Sequence, residues 1–77
     1  MLIYGSMLCP DCVDCVKDLD TAGADYQFRD FADDLAHLKV FLKIRDAEPA
    51  FEALKREGKI GIPCLVYEDG TISFNWK

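Results

Sequence analysis

Tyr4-Gly5-Ser6-Met7-Leu8-Cys9-Pro10-Asp11-Cys12 decides the reading of this chain, because it delivers a C-x-x-C pair from a short apolar stretch to the start of a helical pattern. On a regular helix, residues three apart have Cα atoms about 5 Å apart, inside the range a disulfide tolerates. The pair can therefore open and close with little backbone movement. Pro10 suits the first helical position, where its missing N–H costs no hydrogen bond, and this sets Cys9 at the N-cap with its sulfur toward the unpaired N–H groups of the first turn. Thiols at helix N-termini ionise more readily than free ones, and the thiolate is the nucleophile. Cys9 is thus the expected attacker and Cys12, one turn inside, the expected resolving thiol.

Outward from that stretch, Leu2-Ile3-Tyr4 reads as a short buried strand with Gly5 and Ser6 as its exit turn. A helix over 10–22 presents Cys12, Val16, Leu19 and Ala22 on one stripe and stops at Gly23. Residues 26–31 alternate with period two and read as a second strand. Asp33 and Asp34 suit the start of a helix over 34–45, with Leu35, Leu38, Phe41 and Leu42 facing inward. After a break at 46–48, Pro49 opens a third helix over 49–57, which buries Leu54 with Phe51 or Ala50 and ends at Gly58. Residues 64–68 form an apolar strand, Asp69-Gly70 signals a two-residue hairpin, and 71–74 return. The order β-α-β-α-α-β-β predicts an α/β fold, a four-stranded mixed sheet flanked by helices on both faces. Its first three strands are expected to be parallel through right-handed crossovers, with the fourth antiparallel at one edge. The dithiol then lies at the carboxyl end of the first strand, where open α/β sheets place their chemistry.

A chain of 77 residues, 51% of them hydrophobic, is expected to form one domain over 1–77 with a small core. Nine Lys plus Arg against fourteen Asp plus Glu give a net charge of −5, which argues against a nucleic-acid partner or an anionic membrane surface. No run approaches the roughly 18 apolar residues of a membrane span, and strand-like residues from Leu2 leave no room for a signal peptide. A cytoplasmic protein is expected. Of the four cysteines, three lie within seven residues, whereas a structural disulfide framework would staple distant segments. In a reducing compartment the cluster is catalytic or metal-binding.

Gly61-Ile62-Pro63 stands directly before the strand at Cys64, an unusual place for a residue that cannot donate to a ladder. Together with Tyr4-Gly5-Ser6 and Cys9-Pro10-Asp11-Cys12, in that order and spacing, it resembles the thioredoxin superfamily. The closest likeness is to short bacterial glutaredoxin-related proteins with a Cys-Pro-Asp-Cys site, and it spans nearly the whole chain. The resemblance implies a thioredoxin-like, glutaredoxin-type fold whose proline is cis and packs beside the dithiol. It implies a thiol–disulfide oxidoreductase, with Cys9 and Cys12 as the redox-active centre passing electrons to protein or glutathione mixed disulfides. Glutathione as co-substrate or a dithiol reductase would restore the enzyme, and no metal or organic cofactor is needed. The Ile62 backbone beside Pro63 is implied to pair with a peptide-like substrate. Lys59 stands where glutaredoxins often carry a basic or amide residue for the glycine carboxylate of glutathione.

The chain departs from the glutaredoxin pattern in ways that bear on its ligand. Ser6 stands where glutaredoxins commonly carry Lys or Arg three residues before the first cysteine. Residues 71–77 carry neither the Gly-Gly turn nor the last helix that grips the γ-glutamyl carboxylate. Two charge-assisted contacts, each worth about 1.5 to 3 kcal/mol, are then missing, and weaker glutathione binding is expected. Asp11 replaces the usual tyrosine, and its charge opposes thiolate formation at Cys9.

The rival reading is a metal or iron–sulfur site using Cys9, Cys12, Cys15 and Cys64, whose C-x2-C-x2-C start resembles ferredoxin spacing. Against it, Val16, Leu19 and Gly23 continue a regular helix where a cluster loop would wrap its metal. A non-catalytic interaction module has no need of a paired thiol at a helix N-cap. Cys15 and Cys64 otherwise read as small buried hydrophobes, His37 as a surface residue, and Trp76 as packing at the sheet edge.

Overall fold

The computed structural model describes residues 1–76. Its centre is β1 (Leu2–Gly5), paired on one side with β2 (Gln27–Asp30) and on the other with β3 (Cys64–Val66), while β4 (Ile72–Ser73) closes the order β2-β1-β3-β4. Successive strand side chains point to opposite faces, so Ile3 and Tyr4 seed two different cores. Ile3 joins Cys15, Leu19 and Leu65 under α1 (Pro10–Thr21). Tyr4 joins Cys64, Phe41 and Phe51 under α2 (Leu35–Ala47) and the short helix α3 (Glu52–Arg56). Helices therefore cover both faces of a four-stranded mixed sheet. Each fully buried Phe, Leu or Ile contributes about 1.5 to 3 kcal/mol relative to exposure.

On α1 the buried positions are Cys12, Cys15 and Leu19. Val16 is only half-buried and Ala22 is exposed beyond the helix end, so the inward stripe is centred on Cys15. On α2 Asp34 is the N-cap, its Oδ1 accepting the Ala36 N–H at 2.9 Å. The inward face matches the expected one only at Leu38 and Phe41. Phe41 is fully buried, with Leu38 and Ile44 packed beside it, while Leu35 is 68% exposed and Leu42 is also in solvent. The aromatic residue sets the rotation of the helix, because Phe41 stacks on Phe31 and Phe51 at centroid distances of 5.2 and 5.8 Å, and Phe51 meets Phe74 at 4.9 Å. Such ring pairs add about 0.5 to 1.5 kcal/mol each beyond area burial. Glu48 is extended, as suits a residue before proline, and Pro49–Phe51 form a 3₁₀ turn that leads into a shorter α3 than expected.

The direction of β3 also differs. β1 and β2 are parallel, Leu2↔Gln27 through Gly5↔Asp30, but β3 is antiparallel to β1, with Cys64 opposite Tyr4 and Val66 opposite Leu2. One helical pass between strands returns the chain to its starting end, whereas the two passes after β2 deliver it to the opposite end. β3 consequently begins beside the end of β1, not its start. The turn into β4 is wider than two residues: Val66 pairs with Ile72, Tyr67 N–H donates to Thr71 O at 2.9 Å, and Gly70 sits at φ +87°. That is the longer hairpin form in which a left-handed residue follows the turn. Among the described residues, no helix is long and apolar enough to cross a membrane.

Candidate active site

The loop leaving β1 is tied to itself before the helix begins. Ser6 Oγ accepts the Leu8 N–H at 3.1 Å, and the Cys9 N–H donates to Ser6 O at 3.0 Å. Cys9 then takes the extended N-cap conformation, half-buried, with Pro10 at the first helical position. Its sulfur accepts no capping hydrogen bond from the first turn, contrary to the expectation. A thiol sulfur is only a weak acceptor.

The sulfur's partner is Cys12. That thiol is fully buried, with the Cys9 side chain and the Ser6 backbone N–H as its polar neighbours. Burial pushes the Cys12 thiol up to about 12; the Ser6 N–H pulls the other way, and the nearby sulfurs of Cys9 and Cys15 add to the rise. Cys12 is therefore protonated at neutral pH. Gly5 makes room for it, since a Cβ there would lie 2.6 Å from Cys12 Sγ. All four cysteines are free thiols.

Because β3 starts beside the end of β1, the Gly61-Ile62-Pro63 loop faces the Cys9 loop. The Ile62–Pro63 peptide is cis and Pro63 is buried. Gly61, at φ +95°, lies against the Phe51 ring, 2.7 Å from where a Cβ would sit, so no other residue fits. Arg45 holds the loop from α2, donating through Nε to Ile60 O at 2.9 Å and through Nη2 to Lys59 O at 3.1 Å. Among the described residues, Ile62 makes no backbone hydrogen bond.

Between the two loops runs a groove of about 420 Å³, lined by Cys9 and Asp11 from the start of α1, Lys59 through Pro63 from the loop, and Leu54, Phe74 and Trp76. It brings together Cys9, Lys59, Ile62 and Pro63, the residues singled out in the sequence, and leaves Cys12 behind Cys9. Lys59 is exposed and its Nζ lies 3.1 Å from Glu57 Oε2. Trp76, expected at the sheet edge, packs against the core under α1, and its Nε1 donates to Asp18 Oδ2 at 2.9 Å, which fixes the indole between α1 and the groove.

Cys15 and Cys64 are fully buried in the two different cores, on opposite faces of the sheet. Burial raises each to about 11, helped by Asp18 for Cys15 and Glu48 for Cys64. The four thiols of the metal reading are therefore not gathered, and among the described residues no three potential ligands surround one point. His37 is half-buried, not on the open surface, and its Nδ1 lies 2.9 Å from Asp30 O, joining α2 to the end of β2. Sequence reasoning missed Arg45, Phe74 and Trp76 as parts of the site. Only the Phe74-x-Trp76 alternation hinted at a shared wall; nothing local marks Arg45.

No family model matches the chain, and no solved structure matches it. A protein of Haemophilus influenzae, described as uncharacterized, is 32% identical over 71 residues, which are 92% of this chain and 83% of that protein. With that identity across most of both sequences, the chain belongs to the same family as the Haemophilus influenzae protein.

Proposed function

We propose that the chain is a cytoplasmic thiol–disulfide oxidoreductase with a thioredoxin-like fold of the glutaredoxin type. The observation that carries this reading is a half-exposed Cys9 at the N-cap of α1, opening on a groove whose far wall is the Ile62–Pro63 loop, with the fully buried Cys12 thiol next to it. The sheet order, with β1 and β2 parallel and β3 and β4 antiparallel, supports the fold assignment.

In the reaction, the Cys9 thiolate attacks one sulfur of a substrate disulfide. A Cys9–substrate bond forms, the substrate's own S–S bond breaks, and the expelled thiolate takes a proton from water. Cys12 then gives up its proton and attacks the Cys9 sulfur, which closes the Cys9–Cys12 disulfide and releases the second substrate thiol. Two electrons have passed to the substrate. Burial keeps Cys12 protonated and out of reach of the substrate, so it acts second, on the Cys9 sulfur one helical turn away. Glutathione or a partner dithiol reductase restores the pair. The free N–H and C=O of Ile62 hold the substrate in extended form, with Pro63 and Lys59 completing the wall. No metal or organic cofactor enters the scheme.

The test is to reduce the protein, remove the reductant, add a small disulfide, and follow formation of the Cys9–Cys12 bond by mass spectrometry. Stoichiometric loss of the two thiols with release of reduced substrate is expected. Untouched substrate, or undiminished reduction by Cys9→Ser, would sink the proposal.

A further inference from the structure

The charges around the groove are few and unbalanced. Asp11, exposed in the first turn of α1, lines the groove beside Cys9 and forms no salt bridge among the described residues. Lys59, the one cation lining it among the described residues, already has Glu57 at 3.1 Å. Ser6 offers only a hydroxyl, engaged by the Leu8 N–H. The remaining walls are apolar, chiefly Leu54, Ile60, Ile62, Pro63 and the two aromatic residues after β4. Outside the groove, Leu8, directly before Cys9, is 90% exposed, and Met7 and Val13 also face solvent.

We propose, resting on the oxidoreductase reading, that this site selects a disulfide carried on an extended protein segment with apolar residues and a basic residue opposite Asp11, and disfavours glutathione. Glutathione brings two carboxylates against a single ammonium, and the groove answers them with another carboxylate and an ammonium that is already paired. A protein segment offers main-chain groups for Ile62, apolar side chains for the rim around Leu8, and a lysine or arginine for Asp11. A change from a negative to a positive neighbour swings the contact by two unit charges. At about 6 Å through water this is about tenfold in rate or affinity, and salt screens it.

The experiment uses the reduced full-length protein at low ionic strength and single-turnover kinetics. Peptides of one apolar sequence, each joined through its cysteine to the same aromatic thiol, carry Lys or Glu on both sides of that cysteine; glutathione joined to the same thiol is the third substrate. Release of the aromatic thiol is followed by absorbance. The Lys peptide is expected to react about tenfold faster than either the Glu peptide or the glutathione conjugate, with the gap closing as salt is added. Asp11→Asn brings the Lys-to-Glu ratio toward one, whereas Asp14→Asn, one turn along α1 and outside the groove lining, lowers it by less. A change in the intrinsic reactivity of Cys9 acts on all substrates alike and cancels in that ratio. Equal rates, or a preference for glutathione or the Glu peptide, overturn the proposed substrate class while the oxidoreductase reading stands. A ratio that survives Asp11→Asn overturns the role of Asp11. No reaction with any of the three overturns both.

Discussion

Cys9 and Cys12 differ in burial and bonding although they sit one helical turn apart, and the difference sets their chemistry. Cys9 borders the groove, while Cys12 is sealed against Gly5 and pushed by burial to about 12. Alkylation at neutral pH should therefore label Cys9 alone in the reduced protein. Cys9→Ser should abolish disulfide reduction, and Cys12→Ser should retain the first step and accumulate a mixed disulfide. Peptide mapping of the labelled protein checks the assignment, and label on Cys12 would reverse the roles. Gly5→Ala should cost about 1 to 3 kcal/mol, because the new methyl falls 2.6 Å from Cys12 Sγ. Denaturant unfolding measures that loss, and an unchanged midpoint would mean that Cys12 has room to move. The positions of these two cysteines were legible because N-cap, proline and C-x-x-C spacing are local. The uncapped Cys9 sulfur and the pairing of Lys59 with Glu57 were not, since both depend on how side chains settle after the backbone is in place.

Among the elements, the loop from Gly58 to Pro63 depends on a helix distant in sequence. Arg45 reaches from α2 to two successive carbonyls of that loop with a planar fork that a lysine cannot reproduce. Arg45→Ala is expected to loosen the groove wall by about 1 kcal/mol, which is roughly a fivefold rise in KM with kcat little changed. Arg45→Lys should not restore it. Steady-state kinetics on a disulfide substrate decide the matter; a pure kcat effect would place Arg45 in the chemistry and not in the loop. The existence of every helix and strand could be read from the sequence, as could the helix starts at Asp34 and Pro10. The inward face of α2 could not, because Leu35, Leu38 and Leu42 make as good a stripe as Leu38, Phe41 and Ile44 until Phe31 and Phe51 are brought against it. The direction of β3 turned on counting helical passes, and the pass supplied by the short Pro49–Arg56 segment is easily underweighted.

For the molecule as a whole, three buried thiols couple folding to alkaline pH. Their ordinary value is 9.0, and burial raises Cys12 to about 12 and Cys15 and Cys64 to about 11. The unfolded chain loses these protons above pH 9 while the folded chain keeps them. Their contribution to stability is therefore complete below pH 9 and is lost as pH rises toward 11, at up to about 1.4 kcal/mol per pH unit for each thiol. Tyr26, raised by its hydrogen bond to Asp20, adds to the fall above pH 10. Urea midpoints measured from pH 8 to 10.5 should decline accordingly, and Cys64→Ala should flatten the slope; a level profile would show that the thiols ionise freely in the folded state. The two-core plan behind this was legible in outline from the expectation of helices on both faces of the sheet, but which cysteine fell in which core waited on the register Tyr4↔Cys64. The indole of Trp76, the chain's single tryptophan, is held by Asp18 in the lining of the same groove as Cys9. The protein thus carries its own optical gauge: emission excited at the indole band should shift or quench when Cys9 becomes bonded to a second sulfur, so each stage of the cycle can be timed by stopped-flow without attaching a dye.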